Sequence, residues 1–198
     1  IDLGSAAVVA QTAGAAFGED ELYFVNNGTP AVFHAVDAAT GEVLFSKPVP
    51  GADVVWGITV GSVRNGYFSS TKDGILYRYK PTEKIMETLG ANPTGDKFIW
   101  ELEASSDGKV YGATFPQGKV FEYDILSSSF NDLGRLKETE QYARGIGVTD
   151  DSIYAGTGAV AHLYKLNRKT LEKEEIPTAF TGQTTMISNV WEYGNRLF

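Results

Sequence analysis

The fold class this sequence predicts is all-β: a β-propeller of four-stranded blades. Three observations lead there. The stretch Phe98 to Gly134 reads as four short strands, FIWELEA, KVYGAT, KVFEYD and FNDLG, parted by Asp107-Gly108, by Pro116-Gln117-Gly118 and by Ser127 to Ser129. Short strands punctuated by Gly, Asp, Asn and Pro make an antiparallel meander. The unit then recurs. Second-strand aromatic residues stand at Tyr23, Phe68, Tyr111, Tyr154 and Phe198, in steps of 45, 43, 43 and 44. Each follows a turn former by three residues: Asp20, Asn65, Gly108, Asp151 and Asn195. Third strands end at Asp37, Lys80, Asp124 and Asn167, and fourth strands centre on Phe45, Leu89, Leu133 and Ile176. A period of about 40 to 50 residues with four strands per unit marks a propeller. Finally, no segment carries convincing helical periodicity. Thr170 to Ile176 (TLEKEEI) is charged enough for a helical turn, but it falls where a fourth strand is due.

Taken in order, Ile1 to Gly4 copies the ending Asn131-Asp132-Leu133-Gly134 and reads as an outer strand closing the last blade of a ring. Blade one then spans 5–48, blade two 49–92, blade three 93–136 and blade four 137–180, while 181–198 start a fifth that stops in its second strand. About four and a half blades are present. Proteins avoid leaving such edges unpaired. The expectation is the N-terminal part of a six- to eight-bladed ring, closed by remaining blades or a partner chain; a four-bladed ring with a tail is the alternative.

Composition narrows the function. With 198 residues, 42% hydrophobic and 12% aromatic, the chain supports one sizeable core. A net charge of −8 without a basic stripe argues against nucleic acid or an anionic membrane as partner. The absence of cysteine rules out disulfides, thiolate zinc sites and thiol nucleophiles. No apolar run reaches membrane-spanning length. Asn27-Gly28-Thr29 is a glycosylation sequon that reads first as a turn. No metal-ligand spacing is visible: Asp73-Gly74 and Asp107-Gly108 are turns, not a calcium loop.

The innermost strands align as Val54 to Ile58, Phe98 to Leu102 and Tyr142 to Ile146, in steps of 44. That makes Trp56, Trp100 and Arg144 equivalent positions near the channel entrance. Flat aromatic surfaces with a bidentate anion donor suit sugars, uronic acids above all. The same tryptophans also suit wedging between blades, with Arg144 tying a loop. Asp96, Lys97, Glu140 and Tyr142 are the most reactive members of the neighbouring connections. Ligand-binding candidates are therefore Trp56, Trp100, Arg144 and Lys97. His34 falls at a third-strand core position with Tyr77, Phe121 and Tyr164. His162 falls on the alternate face of its strand, in the same blade as Tyr142 and Arg144. Those three are the catalytic candidates: they would remove a proton beside a carboxylate and stabilise the enolate.

The run Ala35 to Leu44 (AVDAATGEVL) resembles the strand-turn-strand repeat of quinoprotein-type (PQQ-like) propellers. The segments GILYRYKP, GKVFEYDI and AHLYKLNR are similar to propellers of secreted bacterial multidomain proteins, some associated with polysaccharide lyases and carbohydrate-binding modules. The resemblance implies an extracellular or cell-surface protein. A quinone-dependent dehydrogenase would need calcium and cofactor ligands that are not visible, so no cofactor is expected. Three functions stay open: a ligand-binding scaffold facing polysaccharide or oligosaccharide, the N-terminal part of a uronate lyase, and a protein-interaction platform. Fold alone does not choose among them.

Overall fold

The computed structural model describes residues 11–193 and 196–198. It contains four four-stranded antiparallel sheets, each with its strands in sequential order. The first comprises β1 (Gln11–Gly18), β2 (Glu21–Asn27), β3 (Val32–Asp37) and β4 (Val43–Pro48). The second has β5 (Val55–Val60), β6 (Gly66–Ser70), β7 (Ile75–Lys80) and β8 (Ile85–Ala91). The third has β9 (Phe98–Ala104), β10 (Lys109–Phe115), β11 (Lys119–Asp124) and β12 (Ser129–Arg135). The fourth has β13 (Tyr142–Val148), β14 (Ser152–Gly158), β15 (Leu163–Asn167) and β16 (Lys173–Ile176). A two-stranded hairpin follows, β17 (Glu192–Tyr193) and β18 (Arg196–Leu197). First strands of successive sheets lie side by side, β1 on β5, β5 on β9 and β9 on β13, so the sheets are the blades of a propeller. No helix occurs among the described residues. The charged run before Ile176 is the fourth strand. The outer strand expected at Ile1 to Gly4 and the turn former Asn195 lie outside the described residues.

Burial follows position in the blade. Second strands are covered on both faces: all five residues of β6 are buried, as are the five central residues of β10. Fourth strands are largely exposed, as in β4 and β16. This gradient explains why second strands are made of aromatic, small and β-branched residues and fourth strands are mixed with charge.

The double burial also corrects one anchor of the repeat. Tyr23 pairs with Ala35, Tyr111 with Glu122 and Tyr67 with Arg78, each partner standing two residues before a third-strand end. Tyr67, rather than Phe68, therefore repeats Tyr23 and Tyr111. Both neighbours are aromatic and both are fully buried, so hydrophobicity alone does not set the phase. The two side chains serve different interfaces. Phe68 stacks on Phe33 of blade one at 4.6 Å, whereas Tyr67 packs with Leu76, Ile99 and Tyr123 between blades two and three.

Hairpins between third and fourth strands share one device. The side chains of Asp37, Asp124 and Asn167 each accept two backbone N–H bonds from residues two and three positions on, at 2.7–3.0 Å. This is the Asx turn these residue types favour. Lys80, at the same place in blade two, bonds Glu87 across the hairpin at 3.0 Å instead. Asn27 of the sequon is 7% exposed, and its carbonyl accepts the N–H of Val55 at 2.9 Å. It ties blade one to blade two. His34 is half-buried, stacked on Phe24 at 5.0 Å and hydrogen-bonded to Asn26 at 3.2 Å, and burial lowers its pKa.

Arg168, with a side chain 7% exposed, clamps blade four to blade three. It donates to the Tyr111 hydroxyl at 3.0 Å, to Ser105 at 3.2 Å, to Asp107 at 2.5 Å and to the carbonyls of Thr149 and Asp150 at 3.2 and 2.7 Å. Replacing it with alanine leaves the part-buried Tyr111 and Ser105 hydroxyls and the Thr149 carbonyl without this donor. Arg168→Ala is expected to lower unfolding free energy by about 2–4 kcal/mol, read as a lower urea midpoint at unchanged slope. Arg168→Lys, with one compact donor group for five, should recover less than half. A midpoint unchanged in the alanine variant would refute the clamp.

Candidate functional site

The inner strands carry a shared irregularity. In β9, Ile99 pairs with Thr114 and Glu101 with Ala113, leaving Trp100 as an extra residue. In β13, Ala143 pairs with Thr157 and Gly145 with Gly156, leaving Arg144 extra. In β5 the extra residue falls at Trp56-Gly57, and in β1 at Ala13-Gly14. A β-bulge bends its strand and re-aims a side chain. Four successive bulges at one level thus place Ala13, Trp56, Trp100 and Arg144 in a row around the channel.

The row is in contact. Trp56 and Trp100 rings are 5.5 Å apart at 52°, and the Arg144 guanidinium sits 4.7 Å above Trp100. Tyr142 lies 6.0 Å from Trp100 and stacks on Phe115 at 4.3 Å; Phe98 flanks Trp100 at 6.1 Å. Trp100 is therefore committed to neighbours, and its indole Nε1 is buried with no hydrogen-bond partner among the described residues. Arg144 makes no hydrogen bond or ion pair with any described residue, and burial lowers its pKa while Glu101 opposes the shift. Its donors are open to a hollow of about 610 Å³ bounded by β1, β5, β9 and β13.

The residue after each bulge decides how closely blades approach. It is Gly14, Gly57 and Gly145 in three blades, and Glu101 in blade three. A Cβ at Gly57 would meet Glu101 and Leu102 at 3.0–3.1 Å, so glycine is required for that contact. Glu101 instead extends toward the next blade, accepting the N–H of Ile146 at 3.2 Å and the Asn189 amide at 3.1 Å. Desolvation pushes its carboxyl up to about 7, and the nearby Glu103 carboxyl adds to the rise. Glu103, two residues on, lines the same hollow and is likewise pushed up to about 7 by desolvation. Trp191, 63% exposed, borders the hollow. Glu101, Glu103 and Trp191 were not among the sequence candidates. The signal for Glu101 was present in the alignment of WG, WE and RG, where it replaces glycine.

The structure brings Tyr142 and Arg144 together on Trp100, and places His162 elsewhere. His162 is 8% exposed, and its Nδ1 lies 2.7 Å from Glu175 of β16, which also accepts the Tyr164 hydroxyl at 3.2 Å. It faces the outer strand, whereas Arg144 faces the channel. Lys97 is exposed in the loop before β9. Asp96, 2% exposed, accepts the Thr114 hydroxyl at 2.6 Å and the Gln117 N–H at 3.1 Å. Glu140 accepts the Val160 N–H at 2.9 Å. Both carboxylates hold the loops above their own blade. Among the described residues no cluster of three or more His, Asp or Glu fits a metal ion.

No family model and no curated protein sequence matches this chain. Solved structures do. A catalytically inactive virginiamycin B lyase from Staphylococcus aureus with quinupristin superposes with TM-score 0.78 at 14% identity, over 98% of this chain and 64% of that one. A protein in a nidogen/laminin complex gives 0.71 at 11% identity, over 94% and 70%. The WD40 repeats of RRP9 give 0.71 at 14%, over 89% and 54%. This chain thus spans between 54% and 70% of these chains. At such identities the likeness establishes the β-propeller fold alone.

The two raised carboxyls link stability to pH. The folded protein retains protons that the unfolded chain releases from about 4.5 upward. Their contribution therefore favours folding at low pH and is lost as pH rises through 7. Glu103→Gln should raise stability at pH 8 by about 1–2 kcal/mol and flatten the decline between pH 5 and 8, measured by denaturant unfolding. A variant curve parallel to that of the natural chain would show that Glu103 keeps an ordinary pKa.

Proposed function

We propose that this chain supplies the ligand-binding face of a secreted or surface bacterial propeller, and that the ligand is a carbohydrate. The observation that carries the reading is the run of inner-strand bulges that aims Trp56 and Arg144 into one hollow. A bulge repeated at one level in four blades is a feature of placement, and such bulges recur next to functional sites. Trp56 and the exposed Trp191 offer rings to a sugar's apolar face, and Arg144 offers donors to its oxygens. Trp100 acts beneath them as support, since its surroundings are already filled. In this reading the remaining blades, from the same chain or a partner, complete the rim.

The lyase reading has less support. It needs a base beside Arg144 and Tyr142, and His162 is held by Glu175 at the outer strand. A binding site needs no such base.

A screen of immobilised neutral and acidic oligosaccharides tests the proposal. Trp56→Ala and Arg144→Ala should each weaken the bound glycan about tenfold or more, while unfolding temperature shifts little. Failure to bind any glycan would remove the carbohydrate reading and leave the interaction platform in its place.

A further inference from the structure

We propose that Arg144 recognises a carboxylate on the ligand, and that Glu101 and Glu103 admit this carboxylate only together with a proton. The inference rests on the preceding reading and assigns its ligand class, an acidic glycan, and its regulation.

The first argument is the state of Arg144. Buried arginines are normally paired. Arg144 is half-buried on Trp100, yet it finds no acceptor among the described residues. A planar guanidinium held by stacking and left without an acceptor is arranged for a bidentate carboxylate. Beneath it the indole N–H of Trp100 is buried and has no acceptor among the described residues, so of the two Arg144 alone turns donors to the hollow.

The second argument is what surrounds it. The groups facing Glu101 can be named element by element. Its own strand contributes Glu103, β13 contributes Arg144, and the segment before β17 contributes the Asn189 amide. β1 (QTAGAAFG) and β5 (VWGITV) carry no titratable side chain. Among the described residues one guanidinium therefore stands against two carboxyl groups in a wall whose other members are uncharged. Were both carboxylates charged, a third from the ligand would meet net repulsion. With both protonated, the ligand carboxylate meets a lone cation. Both groups titrate near 7, so the change falls within the physiological range. The step is a simple protonation: a proton passes from solvent to a glutamate oxygen as the ligand carboxylate docks on Arg144.

Calorimetry with oligogalacturonate and a neutral galactose oligomer tests this at about pH 5.5 and about pH 8.5. Buffers of different ionisation enthalpy count the protons. Affinity for the acidic oligomer should fall about tenfold or more at the higher pH, with about one proton taken up per ligand near pH 7. The neutral oligomer should show neither effect. Glu101→Gln/Glu103→Gln should flatten the profile and abolish proton uptake; Glu103→Gln alone should do so partly, which covers the case in which the double variant folds poorly. Arg144→Ala should lose the acidic oligomer selectively. Acidic binding that is independent of pH, or an equal fall in the double variant, would overturn the inference and leave the carbohydrate site standing. Binding of neither oligomer would remove both.

Discussion

Each blade is a thin sheet with two apolar faces, and the fold depends on covering both. Phe33, Phe68 and Tyr79 fill one interface, Tyr67, Phe121 and Tyr123 the next, and Tyr111, Ile146 and Ile153 the third. Burying one such side chain contributes about 2–3 kcal/mol. Several per interface outweigh any single polar tie, Arg168 included. Repetition follows: a sheet covered on one face by a copy of itself has another face in want of the same cover. Polar clamps such as Arg168 and Asn27 then select the register in which blades meet, because a slipped blade would bury them unpaired.

This constraint explains why the blades were legible in sequence. Turn formers must stand at hairpins, and the Asx turns at Asp37, Asp124 and Asn167 recur because one geometry recurs. Where a strand is buried on both faces, the period-2 signal vanishes. That is why Phe68 and Tyr67 were interchangeable by eye, and only hydrogen-bond register separates them. The equivalence of Trp56, Trp100 and Arg144 was visible as a spacing of 44 residues. Their shared bulge was not, because an extra residue in one strand shows only against its partner. His162 was misleading for a similar reason. His162 stands beside Thr157, which pairs with Ala143, so it shares an end of the blade with Arg144, but β13 and the strand that His162 leads into are separated by a whole strand.

Glu101 joins the fold to the chemistry. The position after the bulge is where inner strands pass closest, and glycine answers that need in the other three blades. A glutamate there gives up close packing and carries a carboxyl into a desolvated gap. A group of this kind is tolerated when it is bonded, and Glu101 accepts from Ile146 and Asn189. The two bonds engage different oxygens, Oε2 and Oε1, which glutamine with its single carbonyl oxygen would not reproduce, and desolvation still raises the carboxyl toward 7. A titratable group at a place that favours glycine, beside a second one at Glu103 and near an arginine that finds no acceptor among the described residues, serves what enters the channel as well as the contact between blades.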